Sequence, residues 1–267
     1  MAVVNGGVKR AVKAALGQGL LSLRVHRMIE ADRGLIVVFH RVNRFPTTDG
    51  LTATPEKFEE FCRFFSRYFT VVPLTTFVQA LEQGRSVGGM LAITFDDGYL
   101  DNYEIAAPIL TRLNLPATFF VTTRFIDSEI VPWWDQEIGM VFPWMNWDQV
   151  RALHAQGFEI GAHTRTHQDL GLVGGAAALD EIQGSRFDLE DQLGAQVQLF
   201  AYPYGREHQI MESNRDLVAQ AGFRCCCSSY GGSNTKTTSP LFVRRQPIST
   251  WFSSPFELGY EFAALKI

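Results

Sequence analysis

Cysteine is scarce in this chain, and what there is does not suit cross-linking. Four of 267 residues are cysteine. Cys225, Cys226 and Cys227 are consecutive, and Cys62 lies alone in a helical pattern. Neighbouring cysteines rarely meet disulfide geometry, and Cys-Cys-Cys lacks the Cys-x-x-Cys spacing of a zinc knuckle. Buried, reduced strand thiols are expected instead. Long apolar runs are absent too: none reaches the roughly 18 residues of a transmembrane helix. Met1 to Gln18 shows no apolar secretory core followed by a small-residue cleavage site. These absences predict a cytoplasmic protein, or one apposed to a membrane, not exported by a classical signal. A surplus of positive charge is also missing. The 24 basic and 28 acidic residues give a net charge of −4, so no nucleic-acid partner is expected. There is no low-complexity tract and no repeat of fixed period.

What is present is ample apolar content, 46% of the chain, enough for one large core. Apolar runs and helical patterns alternate along it. Leu35–His40 reads as a buried strand. Thr54-Pro55-Glu56, a cap, a proline at the first helical position and an early acid, opens a helix to about Phe69. Val71–Pro73 reads as a short strand and Thr75–Gln83 as a helix, before the strand Met90–Phe95. Helices over Asn102–Leu113, Trp147–Gln156, Ala176–Leu193 and Glu207–Ala221 then alternate with strands over Ala117–Thr122, Phe158–Ala162, Gln198–Tyr202 and Phe223–Ser228. A last strand is expected over Leu241–Ile248. Such alternation implies a parallel sheet with helices outside.

The polar residues of note fall at the C-terminal ends of strands: His40, Asp96 and Asp97, His163, Tyr204. That rim carries the active site of a β/α barrel. An open doubly wound sheet also places ligands at strand ends, and the pattern alone leaves both architectures open.

Two segments concentrate the chemistry, Thr94-Phe95-Asp96-Asp97-Gly98 and His163-Thr164-Arg165-Thr166-His167. One helical turn or a tight loop brings imidazoles four residues apart to one side. With the Asp97 carboxylate they form a three-ligand set for one divalent ion of borderline softness: zinc, with cobalt or nickel as alternatives. Asp96 leaves the strand facing another way and is the candidate general base.

Both segments stand without a gap as the first two motifs of a known family. The chain resembles the polysaccharide deacetylases with a NodB-like domain, of the carbohydrate esterase family 4 type, over roughly residues 33 to 250. The resemblance implies a distorted (β/α) barrel, seven-stranded, in a single domain. It also implies Asp96 as base and Asp97 as ligand. Phe200-Ala201-Tyr202-Pro203-Tyr204-Gly205 looks like the third motif, in which the backbone N–H at the aromatic position, here Tyr204, binds the oxyanion. The chain departs from the family at Ala201, where many relatives carry an arginine that orients the base. Arg244 or Arg245, on the late strand, is the substitute; alternation lets only one of them face inward. The C-terminal Leu-x-His motif of many relatives is missing, since no histidine follows His208. Val38-Phe39-His40-Arg41-Val42 resembles the opening of poly-N-acetylglucosamine deacetylases, whose motif order is circularly permuted. This implies His40 as the acid that protonates the leaving amine.

Two stretches fall outside the alternation. Asp127–Met145 reads as a long loop whose Trp133, Trp134 and Trp144 offer flat apolar faces, either for a sugar ring or for packing. Tyr99, Thr164 and Pro203 join Trp133 and Trp134 as groove-lining candidates. Residues 1–32 read as a basic helical extension, irregular because of its glycines, ahead of a domain over 33–267. It either caps the bottom of the barrel or makes peripheral contact with anionic lipid. The expected function is metal-dependent removal of N-acetyl groups from an N-acetylated glycan or lipid-linked sugar. O-acetyl ester or small amide or imide hydrolysis, and glycan binding without catalysis, are the alternatives.

Overall fold

The computed structural model describes residues 2–22, 32–45, 49–248 and 251–264. In chain order its elements are α1 (Ala2–Ser22), β1 (Arg33–Phe39), β2 (Arg41–Val42), β3 (Thr52–Ala53), α2 (Pro55–Tyr68), β4 (Thr70–Val71), α3 (Leu74–Glu82), β5 (Met90–Phe95), α4 (Ala107–Arg112), β6 (Thr118–Val121), α5 (Trp133–Glu137), α6 (Trp147–Ala155), β7 (Glu159–Ala162), α7 (Gly175–Leu193), β8 (Leu199–Ala201), α8 (Glu212–Gln220), β9 (Cys225–Gly231), β10 (Ser233–Thr235), β11 (Val243–Pro247) and α9 (Pro255–Ala263).

Seven strands close on themselves in the order β1-β11-β9-β8-β7-β6-β5, and β5 pairs again with β1. Every pairing in that ring is parallel. The molecule is therefore a seven-stranded (β/α) barrel; the open sheet is ruled out. β4 adds outside β5, and β10 runs antiparallel beside the start of β1.

The period of two along each strand sorts its residues. On β1, Leu35, Val37 and Phe39 face the helices, while Ile36 faces the barrel interior, as do Ala92 of β5, Phe120 of β6 and Cys225 and Cys227 of β9. Continuing that alternation past the strand ends carries His40 and Asp96 inward. The cysteines are buried and free.

The outer layer forms for local reasons. Thr54 caps α2 by accepting from the Lys57 N–H, with Pro55 at the first helical position. Phe58, Phe61, Cys62 and Phe65 recur at helical spacing and are buried on one face. The bottom of the barrel is closed by α3: Leu74, Phe77, Val78 and Leu81 belong to the interior cluster. A side chain at Gly34 would meet the Phe77 ring at 2.6 Å, so this close approach requires glycine.

Several sequence expectations need correction. The N-terminal helix, expected to be irregular, runs unbroken over Ala2–Ser22. It packs on α9, where Arg10 and Lys13 meet Glu257 and Glu261. A Cβ at Gly17 would lie 2.0 Å from the Phe256 carbonyl oxygen, so that glycine permits the crossing. Arg24 and Arg27 of the expected extension lie outside the described residues. The helix foreseen over Asn102–Leu113 opens with a π-helical turn, Asn102–Ala106. The long loop contains α5. Glu207–Ala221 divides into a 3-10 turn at Glu207–Gln209 and α8, and Leu241 and Phe242 belong to a 3-10 turn before β11. No helix among the described residues is long and apolar enough to cross a membrane.

Candidate active site

The C-terminal ends of the strands open into a cavity of about 700 Å³. Four residues there, Asp97, Thr164, His167 and Tyr204, are non-glycine residues with φ between +59° and +76°. Left-handed backbone costs energy and is held by its surroundings. Here it turns the chain sharply, so that residues leaving a strand converge on one point.

At Asp96 the ladder still holds, its N–H donating to the Phe39 carbonyl at 3.0 Å. Asp97 breaks away with φ 76°. On β7 the ladder holds through His163, whose N–H donates to the Val121 carbonyl at 3.0 Å; Thr164 breaks away with φ 63°, and the loop to His167 is tight rather than helical. That loop is anchored from α7. Glu181 accepts from the Arg165 and Thr166 N–H groups at 3.0 and 2.9 Å, and Asp188 binds the Arg165 guanidinium through two bonds of 3.0 Å.

Asp97, His163 and His167 each offer one ligand atom, all within 4.8 Å of one another. Nε2 of His163 and of His167 lie 3.4 and 3.3 Å from Asp97 Oδ1. Nδ1 of His163 sits 2.8 Å from the Ala201 carbonyl oxygen, which fixes its proton there and leaves the Nε2 lone pair aimed at the cluster. Asp97 Oδ1 is buried without a hydrogen-bond partner among the described residues. Three candidate ligand atoms thus converge on one point. A divalent cation satisfies all three, so the residues fit the implied metal.

Asp96 is held differently. Arg245, fully buried, grips it with two bonds of 2.7 Å, Nη1 to Oδ1 and Nη2 to Oδ2. The guanidinium also donates to Thr94, Ser229 and the Ser228 carbonyl. Burial alone would push the Asp96 carboxyl up, but the charges of Arg245 and His163 hold it below its ordinary value. Burial likewise disfavours an ionised Asp97, and the two imidazoles beside it bring its carboxyl well below the usual range. The His40 ring lies in the same cavity, and burial lowers its pKa against the pull of Asp97 and Asp96. Its backbone carbonyl accepts from Asn102 at 2.7 Å, so the π-helical turn steadies this strand end.

The Tyr204 N–H finds no backbone acceptor among the described residues. Its ring packs edge-on against His167, and its hydroxyl accepts from Trp133 Nε1 at 3.1 Å.

Eight of the expected residues line this one cavity: His40, Asp96, Asp97, Trp133, Trp134, His163, His167 and Tyr204. Others do not. Tyr99, Thr164 and Pro203 are buried and do not line it. Arg244 is exposed and points away, and Arg245 is the inward arginine. Sequence reasoning missed Asp49, Arg206, Tyr230 and Trp251 on the cavity wall; none stands in a motif that marks it.

A parallel barrel that gathers two imidazoles and two carboxylates at its C-terminal rim has the layout of a β/α-barrel enzyme. The polysaccharide deacetylase family model matches residues 83–226, more than half of the chain, and the chain belongs to that family. It is accordingly a hydrolase acting on carbon–nitrogen bonds of an acetylated glycan. Bacillus subtilis (strain 168) YxkH is 22% identical over 220 residues, covering 82% of this chain and 72% of YxkH. The fold is shared with the Streptococcus pyogenes deacetylase PplD, solved in complex with acetate: TM-score 0.71, 21% identity, 85% of this chain and 96% of PplD. It is shared equally with IcaB from Ammonifex degensii: TM-score 0.70, 20% identity, 87% of this chain and 97% of IcaB.

Proposed function

We propose that this protein is a metal-dependent N-deacetylase of N-acetylated sugars within a glycan. The observation that carries the reading is one cavity holding an unsatisfied Asp97–His163–His167 cluster beside a carboxylate clamped by Arg245. Asp97, His163 and His167 would hold the ion, zinc by the chemistry of the set or else cobalt or nickel. When bound, it polarises the acetyl carbonyl and acidifies water.

The chain's own residues supply the rest. Asp96 takes the proton from the attacking water, and the Arg245 clamp keeps it ionised and aimed. The Tyr204 N–H, free of backbone partners, donates to the oxygen that gains charge. His40 delivers a proton to the departing amine. Trp133, more than half exposed at the cavity wall, offers a stacking face for a sugar ring. The barrel domain is assigned to residues 33–267, with residues 1–32 an extension whose exposed Lys9 would favour an anionic membrane surface.

The test is acetate release from N-acetylglucosamine oligomers by metal-stripped protein after zinc, cobalt or nickel is added back, beside Asp97→Ala. Metal-dependent release that the variant lacks is the expected result. Equal release by the stripped protein and by Asp97→Ala would overturn the reading.

A further inference from the structure

One buried charged assembly has no part in the chemistry above. Arg41 follows His40 in the chain and is fully buried. Its Nε donates to Thr52 Oγ1 at 3.0 Å, and its two terminal nitrogens donate to Asp135 and Asp49. The guanidinium lies over Phe142, 4.1 Å from the ring centroid, and beside Tyr99 at 5.2 Å. Asp135, also fully buried, accepts a second bond from the Tyr99 hydroxyl at 3.0 Å. That hydroxyl in turn accepts from Trp134 Nε1 at 2.9 Å. The Trp134 ring then packs on His167, centroid to centroid 4.7 Å. Asp49 and Trp134 both line the cavity, from different segments.

Burying a guanidinium and a carboxylate is a poor route to stability, because apolar side chains of similar volume usually do as well or better. What the pair supplies is geometry. A rigid fork with three partners fixes two segments against its own strand at once.

We infer that Arg41 and Asp135 are positioning residues that set the substrate groove. Arg41 ties the Asp49–Thr52 wall to α5, and Asp135 passes the constraint through Tyr99 to the Trp134 indole. This rests on the deacetylase reading of the same cavity. A glycan chain must fit between both walls. A small activated ester needs only the metal cluster and Asp96.

The decisive variant is the apolar double replacement Arg41→Met with Asp135→Leu, measured beside Tyr99→Phe. Three quantities are read: melting temperature, KM and kcat on N-acetylglucosamine oligomers and on 4-methylumbelliferyl acetate, and acrylamide quenching of Trp134, isolated by difference from Trp134→Phe. The double variant is expected to melt near the wild type. Its KM for oligomers should rise about tenfold, while kcat/KM for the ester stays within about twofold. Quenching of Trp134 should increase in both the double variant and Tyr99→Phe. Recovery of stability together with an unchanged oligomer KM would overturn the inference, as would a parallel loss on both substrates or unchanged quenching. If the wild type itself releases no acetate, the deacetylase reading falls, and the quenching arm still decides the tie.

Discussion

At the N-terminal end of the barrel, Glu159 at the start of β7 accepts from the Leu74 and Thr75 N–H groups at 2.8 and 3.1 Å. Its carboxylate thereby meets the first turn of α3, where unpaired donors and the helix dipole favour negative charge. Phe77 and its neighbours fill the space above. At the C-terminal end the same strands deliver Asp96, Asp97, His163 and His167, with bent backbone, an orphaned carboxylate oxygen and charges out of water. One end satisfies every group it buries among those named here. The other keeps groups unsatisfied at a cost in stability. Fold and chemistry are thus divided along the barrel axis, and substitutions should separate them.

The sharpest separation is expected from Asp96→Asn. It keeps the shape but removes the base, and acetate release should fall about 10³-fold, within the usual range for a lost acid–base group, with metal affinity retained. Isothermal titration with zinc beside a rate assay checks both halves; a variant with full activity would dissolve the distinction. Phe77→Ala probes the opposite end. Emptying that buried site should cost about 3–5 kcal/mol in denaturant unfolding, while kcat at permissive temperature stays near wild type. A large loss of kcat in still-folded protein would show the ends to be coupled. His40→Ala should reduce amide cleavage about 10²-fold. It should leave an acetate ester far less affected, since an alkoxide departs without as much help; rates on the two substrates decide it.

The smallest effect concerns Asp101, at the head of the π-helical turn. Burial raises its carboxyl to about 6, against the bonds from Asn43 and Asn102. The folded protein therefore holds this proton more tightly than the unfolded chain. Stability from this group is present below about pH 4 and is lost as pH rises towards about 6. Asp101→Asn cannot ionise, so its stability relative to wild type should improve by roughly 1–3 kcal/mol between pH 4 and pH 7. Thermal melts at the two pH values check the sign.

The strand–helix alternation and the polar rim were legible because both depend on local pattern; that the sheet closes into a barrel followed from the family resemblance. Ile36-Val37-Val38-Phe39-His40 alternates inward and outward, and the two-aspartate and two-histidine segments are short and contiguous. What escaped depended on distant chain. Nothing near Arg244-Arg245 tells which arginine turns inward; the irregular register between Val243 and Arg245 and the contact with Asp96 decide it. Tyr99, expected to line the groove, is buried instead, its hydroxyl taken up by Asp135 and Trp134. Arg41 meets Asp135 across 94 positions, a pairing that carries no spacing signal. β10, three polar residues, has too little apolar content to be read as a strand. The helix α9 did carry signals, the Ser254 cap and Pro255 at the first helical position, which the alternation of the barrel overshadowed.

The clamp on Asp96 also has a consequence for how the molecule matures. Arg245 lies 149 residues beyond Asp96 and sits on the strand that shuts the ring between β9 and β1. Contacts of such long range form late, because loop-closure entropy must be met before they contribute. During synthesis both aspartates and both imidazoles emerge well before that arginine. A partly made chain thus carries the candidate metal ligands without the arginine that orients Asp96. Closing the barrel is then the event that completes the clamp on Asp96, and the last strand serves as its built-in proof of completion.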